Sequence, residues 1–550
     1  MYQYSSGPNA DHERSTMELT GIVDRLRRSV GSISYYDAGT PGRIVVRSYP
    51  DLAADVAAAK ARLEELAIAP GMRVGIRAPN SYQWIVYDLA LLELRCVIVA
   101  FPDTGYDLGD LEIATRFDLA LLLVPNAEHE RARHAFVAPI DGAFSHAVRA
   151  RPSKIYADPG FEEFSLVFSS GSAGKIRCLV TSRSGTEHTI DSFIEMFDLA
   201  PGGQTRHARD RFLLFLPLSN FQQRLTVYGV LFYGIDLLLV DPPRLFPALQ
   251  ELRPTVFIGP PLFFETVETK FALQPRLVRG AIGALTALAE RAPEPVRARL
   301  LKAIYRPLWS ALGGAMRIMI TGSAPIKRTT LELFGRGGFP LYEVYGVTEC
   351  GLVACNVPGH NQRGSVGRAF EPGSITVAQD GEILVKKSRP LTLRYEGEDP
   401  DEAAGTYLPD GTIATGDLGR FDADGYLRII GRKKQVIVTP GGQKLNPEVL
   451  EARLNECPVI DHSVVFATPE GELVSLVSLR AKRTPTSEIQ VQEWVAKLRR
   501  EQPAAPLQRA HCTETKFSRD NGLLTRNLKL DRKALWALYQ SELGTRSRRT

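Results

Sequence analysis

The chain reads as an α/β protein: a large N-terminal domain of αβ layers carrying a β subdomain, followed by a small C-terminal αβ domain. Three observations predict this. Helical patterns and strand-length apolar runs alternate from residue 51 to residue 321, the mark of a layered α/β architecture. From 364 to 430 the pattern changes to short alternating segments with Asp-Gly turns at 380–381, 410–411 and 424–425, a mostly β subdomain. At Gly431 the charge changes sign: residues 1–430 carry 46 basic and 49 acidic groups, whereas residues 431–550 carry 21 and 13.

The elements follow in order. The first forty residues are polar and read as a loose lead-in. Residues 51–66 are rich in alanine with apolar positions at helical spacing, which predicts an amphipathic helix ended by Pro70-Gly71. Residues 74–77 then predict a strand, 84–94 a helix, 96–101 a strand and 119–124 another strand. Further apolar runs at 212–216, 237–240, 255–258 and 318–321 predict strands. Residues 270–312, rich in Ala, Leu and Arg, predict helices. The change at 431 sets the expected boundary between domains 1–430 and 431–550.

Composition excludes several classes. With 550 residues, 44% hydrophobic and 23% charged, the chain has ordinary globular usage and length enough to bury large cores without staples. Its six cysteines form no C-x-x-C and no zinc-ligand spacing, so reduced buried thiols in a cytoplasmic protein are expected. The N-terminal residues lack the apolar core of a signal peptide, and the most apolar stretch, 228–240, is short and broken by Asp236, so no membrane span is expected. No nucleic-acid recognition motif is present. The oligomeric state is not legible.

Four short motifs and one further lysine carry chemistry. After the apolar Leu166-Val167-Phe168 comes Ser169-Ser170-Gly171-Ser172-Ala173-Gly174-Lys175-Ile176-Arg177. Small residues let backbone N–H groups and hydroxyls close around phosphate oxygens, with Lys175 and Arg177 supplying charge. It is not a Walker A loop, which would need Gly at 169 and Ser or Thr at 176. Glu343-Val344-Tyr345-Gly346-Val347-Thr348-Glu349 ends a strand-like run, where Glu349 could hold Mg²⁺ through one oxygen. Asp417, between Gly416 and Leu418 in T-G-D-L-G, is suited to accept hydrogen bonds from ribose hydroxyls. Gly431-Arg432-Lys433-Lys434 sits on the expected boundary, and Lys529 stands in a loop before the final helix. Each is weak alone: a flexible loop, a solvated acid, a common turn, a basic linker.

In this order and spacing, the set resembles the AMP-forming adenylating superfamily, the acyl-CoA synthetases, luciferases and adenylation domains, over roughly residues 45–540. The long-chain acyl-CoA synthetase branch is most similar, through LPLSNFQQR (216–224), TVFIGPPLFFETV (255–267), ITGSAPI (320–326), GRKKQVIVTPGGQKLNPEVLE (431–451) and LLTRNLKLDRKAL. The resemblance implies that residues Ser169 to Arg177 clasp the phosphates of ATP, Thr348 contacts the α-phosphate and Glu349 holds Mg²⁺. It implies that Asp417 and Arg432 bind the ribose, and that Gly322, Ser323, Ala324, Pro325, Glu343, Val344 and Tyr345 flank the adenine. Lys434 would be the hinge of a mobile small domain, near 431–435, and Lys529 the catalytic lysine.

The sequence departs from the branch where the acid should lie. Asn220 replaces an aromatic or histidine, Gln222-Gln223 replaces the acid of the triplet, Leu262 replaces a basic residue, and Thr412 replaces a tryptophan. Ile176-Arg177-Cys178 replaces Pro-Lys-Gly. The expected acid pocket is Asn220, Phe221, Gln223, Arg224, Pro260 and Leu262. Added polar groups want hydrogen-bond partners, which points to a small or more polar acid; neutral drift explains the same changes equally. The function expected is ATP- and Mg²⁺-dependent activation of a small or aromatic carboxylate as its adenylate, with transfer to an acceptor such as CoA. Two alternatives stay open: activation of nitrite with transfer to an aromatic amine, and a catalytically degenerate nucleotide-binding protein.

Overall fold

The computed structural model describes residues 16–544 except 38, 41, 103–107, 157–159, 171–175, 200–208, 398–402, 439–443, 469–470, 502–506, 519–520 and 525–529. Two large sheets organise the first three quarters of the chain. In the seven-stranded sheet, Arg73–Ile76 lies between Val97–Ala100 and Leu119–Val124, all parallel. Leu119–Val124 is buried at every position, as expected of a strand covered on both faces. The nine-stranded sheet has Arg211–Leu214, Val256–Gly259, Ile318–Thr321 and Leu341–Val347 running parallel.

The helix Tyr82–Glu93 (YQWIVYDLALLE) is apolar nearly all round, and ten of its residues are buried. It contributes to one core shared by both sheets, with Val74 and Ile76 from one and Phe212, Leu237 and Ile318 from the other. The outer face of the nine-stranded sheet buries Leu213, Phe257 and Met319 under the helices that follow it.

The lead-in expectation is corrected for residues 17–36. Met17, Leu19, Ile22, Val23 and Leu26 are buried in the shared core. Ser32–Tyr36 runs parallel to Asp236–Leu239 and joins the nine-stranded sheet. The apolar residues are too few and too scattered for local periodicity to mark them; only a partner 204 residues away makes them structural, through Ser32 N–H donating to Asp236 Oδ1 at 2.8 Å.

The β region is a four-stranded antiparallel sheet of Ile375–Val377, Glu382–Val385, Ile413–Phe421 and Leu427–Arg432. One strand leaves it: Thr392–Tyr395 pairs instead with Ile176–Ser182 in the seven-stranded sheet. That crossing places Tyr395 against Arg177. Beyond residue 446, Ile460–Ala467, Leu473–Leu479 and Leu507–Thr513 form a separate three-stranded sheet with its own cores. All six cysteines are free and buried. Among the described residues, no helix is long and apolar enough to cross a membrane.

Candidate active site

The two ends of the glycine-rich segment lie on paired strands. Glu163–Ser170 and Ile176–Ser182 are antiparallel, with Ser169 opposite Arg177 and Ser170 opposite Ile176. Residues 171–175, hence Gly171, Ser172, Ala173, Gly174 and Lys175, lie outside the described residues. Ser169 Oγ is buried and has no hydrogen-bond partner among the described residues, the state of a hydroxyl aimed at a ligand. Arg177 faces the same end. Its guanidinium lies 4.8 Å from the Tyr395 ring centre, and Nη1 donates to the Tyr395 hydroxyl at 3.1 Å.

Tyr395 then links Arg177 to Glu349. The Tyr395 hydroxyl donates to Glu349 Oε1 at 2.9 Å, and the Thr392 hydroxyl donates to the Glu349 carbonyl at 2.6 Å. Burial and the Glu349 charge push the Tyr395 phenol up to about 12, so it stays protonated and donates. Thr348 and Glu349 occupy the tight turn between Leu341–Val347 and Gly351–Cys355. No cluster of three or more metal-ligating side chains occurs among the described residues. Glu349 keeps its Oε2 free of partners there, which fits Mg²⁺ held by one carboxylate plus the substrate's own phosphates.

A second group forms around Asp417. It is buried, on Ile413–Phe421, directly across the ladder from Arg432. Arg432 Nε lies 2.8 Å from Asp417 Oδ1, and the Tyr345 hydroxyl donates to Oδ2 at 2.7 Å. Each carboxylate oxygen can accept more than one hydrogen bond. The structure therefore gives Tyr345 a positioning contact with Asp417. Glu343, on the same strand, accepts from Gly364 N–H at 2.7 Å, and burial raises its carboxyl to about 7.

A cavity of about 110 Å³ opens beside Val344 and Gly346, on the strand that also carries Tyr345. Its walls include Asn220, Gln223 and Gly229 on the helix Phe221–Phe232 and its cap, Pro260 after Val256–Gly259, and the loop Gly322–Ser323 facing Val344 and Gly346. Gly322 is required by close approach, since a Cβ there would stand 2.8 Å from the Val344 carbonyl oxygen. Ser323 holds φ at +70°, uncommon for a residue with a side chain and typical of functional loops. Ala324 and Pro325 continue that loop at the surface. Thr321 Oγ1, just before it, is buried without a partner among the described residues.

Three residues expected in the acid pocket do other work. Arg224 is fully buried and paired with Asp88, Nη2 to Oδ1 at 2.7 Å and Nε to Oδ2 at 3.1 Å, and donates to Ser165 Oγ at 2.6 Å. It points into the shared core because Asp88, on the buried helix Tyr82–Glu93, has no other cation near it among the described residues. Phe221 packs on Phe164 in that core. Leu262 packs against the C-terminal cluster of Val464, Leu476, Phe517 and Leu524, an apolar contact where a charge would be desolvated. Lys434 is exposed beside Lys433, which is tied to Asp380 at 2.7 Å and Glu382 at 2.6 Å. Lys529 lies outside the described residues.

Sequence reasoning missed Ile190, Phe193 and Ile194, which close the cavity from the helix Arg183–Met196. Their spacing, with Phe197, was the available signal. It also missed Tyr395, whose partners are 218 and 46 residues away.

Residues 34–388, nearly two thirds of the chain, match the family model described as AMP-binding enzyme. The chain belongs to this family. Among relatives of this AMP-binding enzyme, the long-chain-fatty-acid–CoA ligase FadD15 of Mycobacterium tuberculosis is 28% identical over 474 residues, covering 78% of this chain and 76% of its own. Human long-chain-fatty-acid–CoA ligase 1 is 25% identical, over 70% and 62%. ATP-bound MatB from Rhodopseudomonas palustris shares the fold at a TM-score of 0.70 and 20% identity, over 95% and 99%. The anthranilate CoA ligase AuaEII with anthranoyl-AMP does so at 0.72 and 16%, over 96% and 97%. The protein is thus an AMP-forming ligase near the acyl-CoA synthetase branch.

Proposed function

We propose that this enzyme activates a small or aromatic carboxylic acid as its adenylate, releasing pyrophosphate, and passes the acyl group to CoA. The cavity carries this reading. A dry cavity of about 150 Å³ holds one benzene ring, and the 110 Å³ here is slightly smaller. It favours a short acid, a single-ring acid fits only if the wall yields, and the tail of a long-chain acid would need several times that space. At its wall stand the Gln223 amide and the Asn220 amide NH2, the Asn220 Oδ1 being taken by the Gln222 N–H at 3.1 Å, and both are offered to a polar substituent.

The resemblance suggests the roles of the residues, and charge explains why such residues are needed. An anionic acid must approach a polyanionic triphosphate, so cations and a shielded geometry lower the barrier. Ser169 and Arg177 are assigned to the triphosphate, and Asp417 with Arg432 to the ribose. Thr348 is assigned to the α-phosphate. Mg²⁺, when bound at Glu349, supplies charge neutralisation of phosphate oxygens. Lys529 is assigned to bridge the attacking oxygen and the α-phosphate. We assign residues 1–430 and 431–550 to a large and a small domain, with a hinge at 431–435 that presents Lys529 for adenylation and withdraws it for thioester formation.

Pyrophosphate release, measured across short, aromatic and long acids with and without CoA, tests this. Release is expected with short or aromatic acids, and a thioester on adding CoA. Preference for a long-chain acid would overturn the size argument. Nitrite-dependent AMP formation with an aromatic amine and without CoA would replace acid and acceptor together.

A further inference from the structure

The helices Arg276–Ala289 and Val296–Ile304 turn an apolar face outward. Ile282, Thr286 and Ala289 anchor the first helix to the domain, with Ile282 packed on the core and the Thr286 hydroxyl 3.3 Å from that of Tyr305. The opposite side presents Leu277, Ala281, Ala284, Leu285 and Leu288, a continuous stripe at helical spacing about 16 Å long. Leu277 is 88% exposed, Leu285 51% and Leu288 63%. Val296 and Leu300 extend the stripe onto the second helix. An outward apolar stripe of this extent marks an interaction surface.

The segment that carries it is cationic. Residues 270–306 hold 8 basic and 2 acidic groups, a net +6 against +5 for the whole chain. Arg279, Arg291, Arg299 and Arg306 are exposed and make no ion pair among the described residues. A second copy of the chain would set one strongly basic face against another. Protein interfaces centre on aromatic anchors, and this face exposes leucine and valine with no exposed aromatic. Leucines flanked by arginines on helices lying flat against the domain match the surface of an anionic bilayer.

We propose that this helical pair docks the enzyme on anionic phospholipid, with the leucines entering the headgroup boundary and the arginines meeting the lipid phosphates. The proposal is independent of which acid is activated.

Sedimentation of the full chain with vesicles tests it. Binding is expected with phosphatidylcholine mixed with phosphatidylglycerol and not with phosphatidylcholine alone, and it weakens as salt rises. Arg299→Gln is expected to weaken partitioning about fivefold. The triple variant Leu277→Ser, Leu285→Ser, Leu288→Ser should abolish it, with unchanged circular dichroism and thermal midpoint. No binding to anionic vesicles, or binding indifferent to these variants, overturns the proposal. A dimer in solution that the triple variant converts to monomer assigns the face to self-association and overturns it equally.

Discussion

Replacing Arg224 with methionine separates a structural from a substrate-binding role. The guanidinium is fully buried and makes two contacts with Asp88 and one with Ser165, while the Tyr228 hydroxyl donates to Asp88 Oδ2 at 2.7 Å. Methionine fills much of the volume but leaves Asp88 without its cation. Breaking a buried pair from one side costs about 3–5 kcal/mol, because the remaining charge is unpaired. Burial already pushes the Asp88 carboxyl above its ordinary range against the pull of Arg224. In the variant it rises further and takes up a proton. A carboxyl raised in the folded state stabilises at low pH and loses that contribution as pH rises, so the deficit should be greater at pH 8 than at pH 5. Asp88→Asn in the same chain should recover most of the loss, since removing both charges of a buried pair is often near neutral. The assay is the urea midpoint of the first unfolding transition for the wild type, both single variants and the double variant. An unchanged midpoint with a raised KM for the acid would refute the reasoning and return Arg224 to the substrate.

Three further outcomes are expected. Tyr345→Phe removes one hydrogen bond to the Asp417 carboxylate and should raise the KM for ATP roughly tenfold, a bond to a charged group being worth about 1.5–3 kcal/mol; Asp417→Asn, which also weakens the Arg432 pairing, should raise it more. Glu343→Gln should raise the thermal midpoint at pH 8 and not at pH 5. A carboxyl lifted from its ordinary 4.5 to about 7 adds a cost as pH climbs through that window, up to about 3 kcal/mol, and glutamine does not ionise. Gly229→Ala puts a methyl 2.8 Å from Ile190 Cγ2 at the cavity wall and should shift the ratio of kcat/KM toward smaller acids by about tenfold.

Much of this architecture is legible from the chain. The strands Leu119–Val124 and Ile318–Thr321 fall at the residues their apolar runs predict, because a strand covered on both faces must be apolar throughout. The helix Tyr49–Glu65 agrees with its predicted span to within two residues, and its start is fixed by a capping box at Ser48 and Asp51. Asp417 and Arg432 were expected together, and an antiparallel ladder makes them neighbours. Residues 17–36 were not legible, since their partners are about two hundred residues away and local polarity hides the buried few.

What the sequence determines by itself is chemistry: which hydroxyls, carboxylates and cations are available, in what order, and hence the adenylating family. Assignment to a partner is settled only by tertiary structure. Arg224 and Asn220 sit four residues apart on one helix and its cap, yet one is consumed by Asp88 in the core and the other faces the cavity. Positions four apart fall on one side of a helix, so rotation does not separate them; what differs is the neighbour that packing sets against each turn, Asp88 at one and the cavity at the other. The size of the cavity, set by how closely the helices Arg183–Met196 and Phe221–Phe232 approach the strand ends, is written in no motif.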